Sequence, residues 1–293
     1  MLFIHNMKSI SKICLGTAQF GLEYGINNQV GKPVESEVFK ILDYANQQGV
    51  YNLDTADKYG SALEVLGAYR KNGGKHYNID SKFSSVHRSL RETLEKSLMR
   101  LNLDSFNVYY FHDYSQFADN PDYHQQICIL KKEGLIKKIG LSVYGNAEFY
   151  DACEYDFIDV IQFPFNLLDN SSHRGSLIEL AVKKGKQLYA RSIYLQGLFF
   201  MDPDFFPQKL TPLAPHVQQL QRIADHENIS IGQLALNYVL QNENIDYAII
   251  GVDSIEQFKQ NLTYASSTIS DKIIRDICEI HVKETELLYP KNW

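Results

Sequence analysis

Apolar and polar positions along this chain follow two periods, and the two take turns. Short apolar runs bounded by Gly, Asn, Asp or Pro carry the signature of buried strands. Between them lie segments whose apolar residues recur three and four positions apart, the signature of amphipathic helices. The pattern predicts strands at Ser11–Leu15, Val50–Leu53, Tyr77–Lys82, Phe106–Phe111, Ile139–Val143, Phe157–Phe163, Gln187–Ser192 and Ala248–Gly251. It predicts helices at Glu35–Gln48, Ala62–Lys71, His87–Leu101, Tyr123–Glu133, Asn146–Glu154, Ser176–Lys184, His216–Glu227, Ile231–Asn242, Ser254–Leu262 and Ser270–Val282. A Phe- and Pro-rich excursion, Gln196–Pro215, follows the seventh strand, and a loose tail ends at Trp293.

Eight strands, each followed by a helix, imply an α/β fold: a parallel sheet closed into a (β/α)8 TIM barrel. An open, doubly wound sheet is the rival. Eight regular units and the absence of a GxGxxG fingerprint favour closure. No linker or low-complexity stretch interrupts the alternation, so residues 1–293 read as a single barrel domain. Within it, residues 284–293 form a C-terminal tail placed to cover the barrel mouth.

Composition narrows the function. The chain has 293 residues, 44% hydrophobic and 22% charged, enough for a sizeable core. Its net charge is −6, and its Lys and Arg residues are scattered, which argues against nucleic acid and anionic membrane surfaces as partners. The four cysteines, Cys14, Cys128, Cys153 and Cys278, show no metal-like spacing and read as reduced, mostly core thiols. No secretory leader and no membrane-length apolar run stand out, so the expectation is a cytoplasmic protein, monomeric by default, with no metal.

In a barrel of this kind the active site lies at the carboxyl face of the strands. The strand ends there offer Asp54 and Tyr59 after the second strand, Lys82 after the third and His112 after the fourth. Taken singly, each has a plainer reading: a turn cap, a packing phenol, a solvated ammonium, a structural imidazole. Together they describe general acid catalysis onto a carbonyl. The phenol of Tyr59 donates the proton, the ammonium of Lys82 is expected to lower its pKa, and Asp54 keeps Lys82 charged. His112 hydrogen-bonds the substrate oxygen.

These residues sit in motifs that resemble the aldo-keto reductase superfamily: LGTAQFG (Leu15–Gly21), LDTADKYG (Leu53–Gly60), SKF (Ser81–Phe83) and YFHD (Tyr110–Asp113). GLS (Gly140–Ser142), IQFPFN (Ile161–Asn166), IGQLALNYVL (Ile231–Leu240) and GVDSIEQFKQN (Gly251–Asn261) extend the likeness over nearly the whole chain. The resemblance implies a nicotinamide cofactor lying extended across the mouth and a small-molecule carbonyl substrate. Ser142 and Gln162 would hold the carboxamide, with Gly16, Thr17 and Asp54 beside the nicotinamide ribose. Ser192, Gln196, Gly197 and Leu198 would wrap the pyrophosphate, and Gly251, Asp253, Gln257 and Asn261 would take the adenosine end. Arg191 falls where relatives stack an aromatic ring on the nicotinamide. Val143 stands where they often carry an Asn. NADP (as NADPH) is the cofactor the family implies. Asp253, standing where many relatives carry a basic residue, leaves NAD open, because a carboxylate repels a 2′-phosphate and accepts a ribose hydroxyl. Phe20, Tyr24, Tyr59, His112, Tyr114 and Phe165 are the candidate substrate contacts. Two other functions share these residues: a cofactor-binding regulatory subunit with little turnover, and a Schiff-base lyase with Lys82 as nucleophile.

Overall fold

The computed structural model describes residues 9–84 and 89–293. Eight parallel strands close into a barrel in sequence order. They are β1 (Ile13–Gly16), β2 (Asn52–Asp54), β3 (Asn78–Phe83), β4 (Phe106–Phe111), β5 (Ile136–Ser142), β6 (Val160–Pro164), β7 (Gln187–Arg191) and β8 (Tyr247–Gly251). Closure is made where β1 pairs with β8, from Ile13 opposite Ala248 to Gly16 opposite Gly251. Helices cover the outside, so each strand is buried on both faces and reads as an apolar run.

Alternate strand residues go to two different cores. Leu15, Leu53, Ile79, Tyr109, Leu141, Ile161 and Leu188 join the large cluster between barrel and helices. Cys14, Val108, Tyr110, Val160, Tyr189 and Ile249 form a small cluster in the lumen. Gly140 belongs to that packing: a Cβ there would lie 2.2 Å from the ring of Tyr110. Above this layer the lumen turns polar. Gly16 pairs with Asp54, Lys82 with Tyr110, and Ser142 with Gln162, so these side chains share the carboxyl end.

Several boundaries differ from the pattern's expectation, each for a polar reason. Strand β1 begins at Ile13, because Ser9–Ser11 form a helical turn ahead of it. Strand β5 begins at Ile136, ahead of Ile139, because Lys138 reaches Gln187 Oε1 at 2.7 Å and is thereby satisfied. Strand β6 begins only at Val160; Asp159 is instead an anchor, accepting from Ile139 N at 2.7 Å and from Lys131. The helix expected from Ser176 starts at Ser171, since Asn170 accepts from Ser172 N and caps it. The helix expected from His87 spans Leu90–Leu101, capped by Ser89; His87 and Arg88 lie outside the described residues. The excursion after β7 folds into three short 3₁₀ turns. Among the described residues no helix is long and apolar enough to cross a membrane.

One buried cation ties the loops after β5 and β6 together. Arg174, fully buried, donates to Asp169 through Nε and Nη2, both at 2.7 Å. It also donates to Asn146 Oδ1 and to the carbonyl of Tyr144, each at 2.6 Å. Removing one member of such a pair leaves the other charge buried without compensation. Arg174→Met should therefore destabilise the protein by about 3–5 kcal/mol in urea unfolding; a loss under about 1 kcal/mol would mean that the network is not holding these loops.

Candidate active site

Three strands converge on one carboxylate. Asp54 ends β2, and Lys82 on β3 donates to its Oδ1 in a close ion pair that is almost wholly buried. From β6, Gln162 Nε2 donates to Asp54 Oδ2 at 2.9 Å. The same Lys82 nitrogen donates to the carbonyl of Thr55 at 3.2 Å and to the Tyr59 hydroxyl at 3.3 Å. Tyr59 lies in the loop after β2, which is held tightly against the turn Ala18–Gly21. A Cβ on Gly21 would come within 1.8 Å of the Tyr59 carbonyl, so only glycine allows this approach. Across from Tyr59, the His112 ring meets the phenol edge to face at 5.9 Å. The backbone N–H of His112 is shared between the carbonyl of Phe83 at 3.0 Å and Gln116 Oε1 at 3.2 Å.

The electrostatics correct one sequence expectation. Burial pushes Tyr59 up to about 12; Lys82 pulls the other way but does not win. The phenol is thus harder to ionise than a free tyrosine. For Lys82 burial pulls the pKa down, but Asp54 and Tyr59 together carry it up to about 12, so the ammonium stays charged. Burial holds His112 well below the usual imidazole range, with Lys82, Lys58 and Arg191 adding to the effect. His112 is therefore neutral, and its Nδ1 is buried with no hydrogen-bond partner among the described residues.

These groups open onto a cavity of about 970 Å³ running across the mouth to the end of β8. Gly16, Thr17, Tyr24, Asp54, Tyr59, Lys82, His112, Tyr114, Ser142 and Gln162 all line it. So do Arg191, Ser192, Gln196, Gly197, Gly251, Asp253, Gln257 and Asn261. Three expected contacts do not. Phe20 and Leu198 are fully buried in the outer core, and Phe165 turns outward to stack on Tyr238 at 5.4 Å. Arg191 faces the cavity, but its guanidinium lies 4.0 Å over the ring of Tyr144 and donates to the carbonyl of Val143 at 3.0 Å. Asp253 is no helix cap; Ser254 takes that role, accepting from Gln257 N. Tyr194 and Glu256, inside the segments Ser192–Leu198 and Gly251–Asn261 expected to hold the cofactor, line the cavity too, whereas sequence reasoning missed Asn27, Lys58, Tyr144 and Lys291, which also line it. Lys58 and Tyr144 had a legible signal: both follow a strand end within the loops that build the site. The loops after β1 and β7 touch above the cavity, Ile26 N donating to the Gln196 carbonyl and Gln196 Nε2 to the Tyr24 hydroxyl, both at 3.1 Å.

A model of the Aldo/keto reductase family matches residues 12–281. The chain belongs to the aldo/keto reductase family. An aldo-keto reductase of Strobilurus tenacellus is 25% identical over 285 residues, covering 88% of this chain and 84% of that one. An NADH-specific methylglyoxal reductase of Escherichia coli is 23% identical over 211 residues, covering 65% of this chain and 64% of its own. The holo form of an aldo-keto reductase from Bacillus halodurans superposes with a TM-score of 0.75 over 94% of both chains; at 18% identity this is a likeness of fold. Family membership supports an oxidoreductase role on small carbonyl compounds, with a nicotinamide cofactor. The cavity's polar groups suit such a cofactor. Among the described residues the buried His112 Nδ1 at one end and one buried oxygen of Asp253 at the other have no hydrogen-bond partner.

A second buried carboxylate lies beside Asp54 and two residues before Lys82 on β3. Asp80 pairs in register with Asp54 on β2 and with Val108 on β4. Its Oδ1 accepts from Asn107 Nδ2 at 2.7 Å and from Val108 N at 3.1 Å, while Oδ2 has no partner. Burial pushes Asp80 up to about 7; Asp54 adds to the rise, while Asn107 and Lys82 oppose it. The sign of the linkage follows. A carboxylate that keeps its proton better folded than unfolded contributes stability at low pH, and loses that contribution between its ordinary value of 3.8 and about 7. Asp80→Asn, which cannot titrate, should therefore gain on the wild type as pH rises from about 5 to about 8, read as the difference in urea midpoints. A difference that stays constant with pH would show that Asp80 is ionised throughout.

Proposed function

We propose that this protein reduces an aldehyde or ketone group on a small molecule with NADH. One observation carries the reading: a single buried ammonium touches both the Asp54 carboxylate and the Tyr59 hydroxyl at the wall of the cavity. When bound, the nicotinamide cofactor supplies a hydride. Tyr59 supplies the proton to the carbonyl oxygen. Its own environment keeps that proton in place at neutral pH, and the Lys82 ammonium stabilises the negative charge that develops as the proton leaves. Asp54 holds Lys82 charged. A lysine kept protonated is a poor nucleophile, which speaks against the Schiff-base alternative. Neutral His112 orients the carbonyl oxygen.

The choice of NADH rests on charge. Ser142 and Gln162 suit the carboxamide, and Ser192, Gln196 and Gly197 the pyrophosphate. At the β8 end the cavity is lined by Asp253, Glu256, Gln257 and Gln260, and among the described residues no Lys or Arg lines that stretch of wall. The lining cations, Lys58, Lys82, Arg191 and Lys291, are contributed by β2 and its loop, β3, β7 and the tail. A 2′-phosphate at the acidic end would meet two carboxylates, whereas ribose hydroxyls would satisfy Asp253. Naming the Escherichia coli relative NADH-specific is in keeping with this choice.

Two measurements test the reading. Tyr59→Phe should lower kcat for aldehyde reduction by about a hundredfold or more. In the wild type kcat/KM should stay flat from about pH 6 to about pH 9, because a donor near 12 remains protonated throughout. Equal turnover in the variant, or an alkaline fall centred below about pH 9, would remove Tyr59 as the acid. In fluorescence titrations NADH should bind at least about tenfold more tightly than NADPH; the reverse order would mean that the acidic end does not meet the adenosine ribose.

A further inference from the structure

The catalytic end of the cavity carries more positive charge than the tetrad uses. Lys82 is committed to Asp54, Tyr59 and the Thr55 carbonyl. Three further cations line the same space: Lys58 from the loop after β2, Arg191 from β7 and Lys291 from the C-terminal tail. Among the described residues none of the three has a carboxylate within 4.0 Å. Two of them, Arg191 and Lys291, meet at one ring. Arg191 lies 4.0 Å and Lys291 Nζ 4.3 Å from the centre of Tyr144, and Lys58 lines the same cavity beside Tyr59.

Two carboxylates, Asp113 and Glu148, line the same space, and each is hydrogen-bonded through one oxygen. Asp113 accepts from Gln116 N at 2.9 Å and from Ser115 Oγ at 2.7 Å, capping the short helix Tyr114–Ala118. Glu148 accepts from the backbone N–H groups of Tyr144 and Gly145 at 2.6 and 3.1 Å. The position of Lys291 is built rather than loose. On one side Tyr289 packs on Tyr144 at 5.5 Å; on the other the Asn292 carbonyl takes a hydrogen bond from Lys209. Asn292 Nδ2 and Trp293 Nε1 donate back to the carbonyls of Glu286 and Leu287, at 2.9 and 2.8 Å. Like charges converging on a concave, partly dry surface repel one another, and an anion between them relieves that repulsion.

We propose that Lys58 and Lys291 form an anion clamp at the substrate end of this cavity, so that the preferred carbonyl substrate carries a carboxylate or phosphate on the same short skeleton. This rests on the carbonyl-reductase reading and adds the substrate's charge to it. Arg191, held by Tyr144 and Val143, contributes its field from behind. Among the described residues neither ammonium has a carboxylate within 4.0 Å, which leaves both able to make charge-assisted hydrogen bonds to the anion.

The test compares skeletons with and without the charge: succinic semialdehyde against butanal, and glyceraldehyde phosphate against glyceraldehyde. At low salt the charged member of at least one pair should have the higher kcat/KM by about tenfold or more, an advantage that shrinks as salt is added. The pair that shows it distinguishes carboxylate from phosphate. Lys58→Met and Lys291→Met should each cut that ratio about tenfold, and Lys→Arg at either position should restore part of it. Turnover of the neutral aldehydes with a ratio near one would overturn the clamp and leave the reductase reading standing. Calorimetric binding of the corresponding hydroxy acid, compared with the uncharged alcohol, gives an answer without turnover. Binding of the acid that weakens about tenfold in the Lys58→Met, Lys291→Met double variant supports the clamp; equal binding of acid and alcohol overturns it. So does a parallel loss of NADH affinity in the double variant, which would assign these lysines to the phosphates of the cofactor.

Discussion

A lysine ammonium kept out of water, and the single carboxylate that lets it stay charged there, is the constraint on which this structure turns. Taking either ion into the barrel alone would cost several kcal/mol. The pair is tolerated because Asp54 also receives Gln162 and Lys82 also reaches the Thr55 carbonyl and Tyr59. Those bonds come from β2, β3 and β6. Fold and chemistry are therefore one requirement: a slip of one residue in β3 would turn Lys82 from the lumen into the helical layer.

The same dryness explains the state of the phenol. Burial and the ammonium act on Tyr59 in opposite directions, and burial is the stronger. The result is an acid that does not lose its proton to solvent, next to a cation that acts most strongly once charge begins to appear. Neutral His112 completes the set without competing for that charge.

Much of this was legible in the chain, for identifiable reasons. The barrel could be read because strands buried on both faces give apolar runs at regular spacing, and the tetrad because its members stand at successive strand ends. What escaped depended on single polar partners. Asn170 begins its helix earlier than hydrophobic periodicity can reveal, and Asp159 delays β6 by anchoring Ile139. Phe20 and Phe165 lie in the right motifs, yet their rings go to the outer core, which a loop sequence does not disclose. The net rise of Tyr59 needed a measure of burial that no motif carries. Lys291 is far from Asp54, Tyr59, Lys82 and His112 in sequence and reaches the cavity from a tail tied at Glu286, Leu287 and Lys209.

The contact between the loops after β1 and β7 has a consequence of its own. Strand β8 stands between those two strands in the barrel, so Ile26 and Gln196 join across the end of β8 and make an arch above the groove. A long, thin molecule lying in the groove would pass beneath that arch, one end over the dry floor of Asp54 and Lys82 and the other toward Asp253. Release of such a guest would then be coupled to the parting of two loop hydrogen bonds as well as to its contacts with the floor below.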